Sequence, residues 1–203
     1  MDGFAIISLS QMMQELGEDK TNLILSDFRC PLAPDVEYFL LHKAVQFTKC
    51  SISSTFLVFT SFRRSNALIG YYTLANKVLM VQASSISKTL FHRLTKFGEY
   101  DATSKSIIIP SPLLGQLGKN FNHEYNSLIN GDELLKIALD SVKRALSLLG
   151  GKTVYVECEH KRVLTNFYER NGFVKFWDRP LDPDETGLKG RSLYQMLKYF
   201  EKI

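Results

Sequence analysis

Cysteine is scarce in this chain, with three in 203 residues, and Cys30, Cys50 and Cys158 are too scattered for a disulfide framework or a thiolate metal site. Free thiols in a reducing compartment are expected. The four histidines, His42, His92, His123 and His160, show no paired ligand spacing and no HExxH occurs, so no metal is expected. No serine sits in the GxSxG elbow of common hydrolases. No apolar run approaches the roughly 20 residues that cross a bilayer. The start MDGFAIISLSQMMQEL lacks the basic flank and cleavage site of a secretory signal. A cytoplasmic protein with no membrane partner is the expectation. Excess charge is also small: 25 Lys and Arg against 21 Asp and Glu, a formal net charge of +4. An anionic partner such as RNA or a phosphorylated cofactor is permitted without being demanded.

What is present is an ordinary globular composition, 45% hydrophobic and 23% charged. The length suits a single domain over residues 1–203, with no internal repeat or long linker. Polar residues from Gly17 to Thr21 predict a first loop. A helix follows over Asp35–Lys49, delayed by Pro31 and Pro34 and capped by Asp35, with Val36, Phe39, Leu40, Ala44 and Phe47 as its apolar stripe. TFLVFTSF from Thr55 and ALIGYYTLANKVLMV have strand content and would pair as antiparallel neighbours across Arg63–Asn66. Ile86, Leu90, Leu94 and Phe97 suit a short amphipathic helix. GEYDATSK reads as a polar linker, and Pro110 and Pro112 defer a clean strand to Leu113.

The most informative stretch runs from Leu113 to Phe173. Asn130 and Glu133 have capping-box spacing before LLKIAL. Leu134, Ala138, Val142, Ala145 and Leu149 form a buried stripe, Asp140 and Arg144 an i,i+4 pair, and Gly150 and Gly151 the helix end. Val154, Val156 and Cys158 alternate with Tyr155 and Glu157 in a strand. A helix carrying Val163, Leu164 and Phe167 inward stops at Asn171 and Gly172 before the strand FVKFW. A last strand spans about Tyr194–Phe200, after the Pro-, Asp- and Gly-rich loop 178–190.

GYYTLA, LLGQLGKN and NFYERNGF, in this order, resemble the GCN5-related N-acetyltransferase family, an α/β (mixed α+β) acyl-CoA N-acyltransferase fold whose splayed mixed sheet is flanked by helices. Phe28 and Cys30, with the helix of Phe39, Leu40 and Ala44, extend the likeness to the group that contains toxins acetylating aminoacyl-tRNA. The family's pyrophosphate loop carries Gln or Arg, two residues, Gly, one residue, then Gly or Ala. Here Asn126, Ile129 and Gly131 hold those places, and Gln116 stands where the toxin group often has arginine.

The resemblance implies acetyl-CoA as co-substrate. Leu117, Gly118 and Lys119 would present backbone to the pantetheine arm. Asn126, Ser127, Leu128, Ile129, Asn130, Gly131 and Asp132 would form an anion nest at a helix start, with Asn166 near the carrier. Gly118 has a physical reason, since without Cβ a ligand lies close, although a structural bulge is the alternative. Lys119 either touches phosphate or faces solvent. Tyr168 is placed as the general acid for the departing sulfur, with packing of an amphipathic helix as its other reading. Glu157 is a candidate base, although a solvated strand end is the simpler account. Tyr71, Tyr72 and Tyr125 either line an acceptor cleft or pack the sheet.

The function implied is acetyl transfer to a primary amine by direct attack in a ternary complex. Two alternatives stand beside it. One is the toxin of a toxin–antitoxin pair, with tRNA and an antitoxin protein as partners. The other is a degenerate CoA-binding or regulatory module. Exposed edge strands favour a homodimer.

Overall fold

The computed structural model describes residues 3–183 and 190–203. Strand β1 (Ala5–Ser8) runs into helix α1 (Leu9–Leu16), capped by the Ser8 hydroxyl, which accepts from the Gln11 N–H at 3.1 Å. The loop expected at Gly17–Thr21 shrinks to Gly17. Its φ of 80° closes α1 onto the Met13 carbonyl, and α2 (Glu18–Leu25) restarts at once with Glu18 and Asp19 in its first turn.

The next helix begins one residue before its expected start. Pro34 sits at the first position of α3 (Pro34–Tyr38), where a missing N–H is harmless, so Asp35 is in the first turn and not the cap. A π-helical turn, Phe39–Lys43, joins α3 to α4 (Ala44–Lys49).

Strands β2 (Ser54–Phe62) and β3 (Ser65–Gln82) are the expected hairpin, but the turn is only Arg63 and Arg64, at φ 47° and 69°. A two-residue hairpin turn needs this left-handed backbone to match strand twist. Helix α5 (Lys88–Leu94) is capped by Ser87. The expected polar linker contains strand β4 (Glu99–Asp101), paired with residues Ser106–Ile108 of β5 (Ser106–Lys119). Pro110 and Pro112 do not delay β5 as expected: it starts at Ser106, and both prolines lie past its ladder with β4, which ends at Ile108.

Helix α6 (Gly131–Leu149) carries the capping box: Asn130 N–H reaches Glu133 Oε2 at 2.8 Å and Glu133 N–H reaches Asn130 Oδ1 at 2.9 Å. Its buried stripe stops at Leu146, and Leu149 is 81% exposed. Asp140 lies 4.0 Å from Lys143 Nζ, whereas Arg144 donates to Ser141 Oγ, so the expected Asp140–Arg144 pair is replaced by closer neighbours. Strand β6 (Thr153–Cys158), helix α7 (Arg162–Arg170), β7 (Val174–Pro180) and β8 (Ser192–Tyr199) complete the order. On α7 Tyr168 points inward and Val163 outward, because five residues rotate a helix by about 140° from the buried face.

The described strands form one mixed sheet in the order β1-β2-β3-β5-β6-β8-β7, with β4 beside β5. The β5–β6 ladder is parallel and registers two pairs, Leu113 with Tyr155 and Leu114 with Val156. Strand β5 continues from there to Lys119, beyond the two registered pairs. Two compact units divide the chain. The first, Met1–Ala75 with Gly115–Leu139, has a core that includes Leu9, Phe28, Val36, Leu40, Leu57 and Tyr71. The second, Asn76–Leu114 with Asp140–Ile203, has a core of Leu79, Val81, Ile107, Ile109, Tyr155 and Phe176.

Candidate functional site

In the first unit, the end of β5 is set by Asn120, which is fully buried. Its backbone N–H donates to Ile69 O at 2.8 Å. Its side-chain amide donates to Leu68 O at 2.8 Å and Asp27 O at 3.2 Å. Its Oδ1 accepts from the N–H of Arg29 at 2.9 Å and of Asn122 at 3.0 Å. The segment holding Phe28 and Cys30 is thereby stapled to β3 and β5, with Phe121 N–H on Arg29 O completing the seam. Asn120 escaped the sequence reading because its partners are remote and an asparagine after a strand gives no local signal.

Gly118 is buried, and packing requires that it have no side chain. A Cβ there would meet Val36 Cγ1 at 2.4 Å, inside any normal contact. Gly118→Ala is therefore expected to lower stability by about 1–3 kcal/mol through overpacking. Thermal unfolding checks this, with Val36→Ala in the same chain restoring part of the loss. Tyr71 and Tyr72 are also buried: the Tyr71 hydroxyl donates to Val36 O at 2.5 Å, so neither ring borders an acceptor cleft. Half-buried Tyr125 packs edge-on against Phe62. A groove of about 590 Å³ is lined by Arg29, Cys30, Pro34, Glu37, Tyr38 and His42 among others. Cys30 in its wall is a poor nucleophile, since burial pushes its thiol up to about 11.

After Asn120 the chain forms a 3-10 turn, Asn122–Ser127, with His123 and Glu124 at φ 47° and 63°. This turn brings Asn126, Ser127, Leu128, Ile129, Asn130, Gly131 and Asp132 to the start of α6. Ile129 is 2% exposed, so only its backbone is available to a ligand. The N–H groups of Leu128 and Asn130 already bond to Tyr125 O and Glu133 Oε2. The Glu133 N–H bonds to Asn130 Oδ1 in the capping box. Lys119 neither faces solvent nor stands clear for a ligand. Its ammonium donates to Asn126 O at 2.8 Å and Ile129 O at 3.1 Å. Half-buried Leu117 lies two residues before it on β5.

In the second unit, Tyr168 is 9% exposed, packed edge-on against Phe167 and Phe173. Burial, and then the nearby Cys158, push its phenol well above the usual tyrosine range. It stays protonated across the physiological range. Glu157 is not solvated: Oε2 accepts from Arg179 at 2.9 Å and Oε1 from Gln195 at 2.7 Å. Asn166 is exposed on α7. Cys158, expected to be buried, is so, and burial raises its thiol to about 11. His160 stacks on Tyr194 at 3.8 Å and contacts Asp178 at 2.8 Å.

No protein-family model matches this chain, and no curated protein matches it in sequence. Solved structures do. A tyrosine-to-phenylalanine variant of KacT is 17% identical, with a TM-score of 0.61 over 96% of this chain and 95% of its own. AtaT complexed with acetyl-methionyl-tRNAfMet is 19% identical, with a TM-score of 0.61 over 94% and 93%. A tyrosine-to-phenylalanine variant of the AtaT toxin, bound to acetyl-CoA and the C-terminus of the antitoxin AtaR, is 19% identical, with a TM-score of 0.58 over 98% and 94%. At such identities the likeness establishes a shared fold.

Proposed function

Because the chain has the GCN5-related N-acetyltransferase fold, we propose that it transfers the acetyl group of acetyl-CoA to the amino group of an aminoacyl-tRNA. The observation that carries the donor half is β5 itself. It keeps strand geometry through Lys119 although its register with β6 comprises only the pairs at Leu113 and Leu114. A strand that outruns its ladder offers backbone donors and acceptors to another partner, and the amides of a pantetheine arm suit it. The residues of the anion nest fit a pyrophosphate in one respect that the missing glycines obscure. Loop carbonyls at Asn126 and Ile129 are bound to Lys119, while Gly131 starts a helix whose dipole favours an anion. Acetyl-CoA would supply an activated thioester there.

Tyr168 acts as the general acid in this reading. The substrate nitrogen forms its bond to the acyl carbon as the carbon–sulfur bond breaks, the phenol hands its proton to the departing sulfur, and the proton shed by the acylated nitrogen restores the phenol by way of solvent. A phenol held neutral by burial remains loaded with that proton throughout neutral and mildly alkaline pH. No alkaline loss of turnover below about pH 10 should trace to Tyr168, a point checked by comparing pH–rate profiles of wild type and Tyr168→Phe. Two tyrosine-to-phenylalanine variants among the related toxins, in KacT and AtaT, support a working tyrosine. Glu157 suits an ion-pair role, since Arg179 occupies one of its oxygens and Gln195 the other. The aminoacyl ester amine has a lowered pKa, so it needs little help from a base.

The acceptor reading rests on AtaT with its acetylated methionyl-tRNA, and the antitoxin AtaR supports a toxin–antitoxin role with an antitoxin partner. The test is transfer of labelled acetyl from acetyl-CoA to charged tRNA. Label appearing on aminoacyl-tRNA supports it. CoA binding without transfer to any amine would favour a regulatory module instead.

A further inference from the structure

We infer that Lys119 is a positioning residue that draws two carbonyls of the loop before α6 away from the pyrophosphate of CoA, replacing the order that glycine provides elsewhere. The inference rests on the cofactor reading above. A diphosphate binds where N–H groups face it and is repelled by carbonyl oxygens. The loop Asn126–Asp132 has Ile129 where the pattern has its first glycine, so its backbone there is less free to choose which way the carbonyls point. Lys119 makes that choice from outside the loop. Its ammonium accepts no hydrogen bond and can only donate, and it holds the carbonyls of Asn126 and Ile129 together.

Every peptide bond described here is trans. In a trans peptide the N–H lies opposite the C=O, so fixing these two oxygens toward Lys119 also fixes the amides of Ser127 and Asn130 away from it. The Asn130 amide passes to Glu133 in the capping box, which pins the start of α6. Lys119 is itself fixed between Gly118, which is packed under Val36, and Asn120, which is stapled to β3. The ammonium also lies 5.7 Å from the Phe121 ring, which steadies it further. Strand β5, one lysine and a capping box thus hold a glycine-poor loop in one conformation.

The test uses Lys119→Met, which keeps length and loses the donors, and Lys119→Arg. Calorimetry reads CoA affinity, and kcat/KM for S-acetylpantetheine, which has no phosphate, serves as control. For Lys119→Met the dissociation constant for CoA is expected to rise by about tenfold or more, the scale of one or two charged hydrogen bonds. Use of S-acetylpantetheine should stay within about threefold, because only the phosphate end is disturbed. Lys119→Arg should recover part of the CoA affinity. An unchanged CoA affinity in Lys119→Met overturns the inference and leaves the transferase reading standing. A parallel fall for both donors also overturns it, since general damage would then suffice. CoA affinity that depends on Lys119 in a chain that acetylates no amine supports the inference and removes the proposed function.

Discussion

Tyr168→Phe is expected to lower kcat by about a hundredfold to ten-thousandfold, the usual worth of a positioned general acid. That corresponds to about 3–5 kcal/mol of barrier. The CoA dissociation constant should change by less than about twofold, because the hydroxyl is asked to act only in the transition state. Tyr168 is 9% exposed and its ring is held between Phe167 and Phe173, so phenylalanine can keep the packing while removing the proton. Single-turnover rates with acetyl-CoA and charged tRNA, beside calorimetry with CoA, separate the two effects. Equal turnover in the variant would assign Tyr168 to the core alone.

Asn120→Ala should be the most damaging substitution for stability, at about 3 kcal/mol or more, because several buried polar groups lose partners at once. The N–H of Arg29 and the carbonyl of Leu68 would be among them. For a chain of this length the melting temperature would fall by about 6–12 °C. Asn120→Asp should cost about as much, since it keeps the acceptor for Arg29 and Asn122 but sets a buried carboxylate oxygen against the carbonyls of Leu68 and Asp27. Thermal unfolding of the three chains measures this. A loss under about 1 kcal/mol for Asn120→Ala would mean that water replaces the amide at little cost.

Elements whose signals are local were legible. The Asn130–Glu133 box, the Gly150–Gly151 stop and the β2–β3 hairpin follow from residues a few positions apart. Short signals were misread where one glycine or proline had two meanings. Gly17 ends one helix and admits the next with no loop, and the two prolines of β5 lie past its ladder with β4. In the candidate site, the cap at the start of α6 was legible, and so was Tyr168 as an aromatic on α7. The roles of Gly118 and Lys119 were not. Whether a glycine makes room for a ligand or for Val36 depends on a neighbour that the local pattern does not name.

By itself the sequence determined the long helix α6 with its Asn130–Glu133 cap, the β2–β3 hairpin and the inward and outward alternation of β6, because those follow from periodicity and spacing along the chain. Only the tertiary structure decided that Asn120 staples segments 91, 93 and 52 residues away, and that Glu157 is tied to Arg179 and Gln195. It also decided that Lys119 turns back to the Asn126–Ile129 carbonyls. A buried polar atom must find a partner wherever the fold brings one, and chain separation sets no limit on that choice.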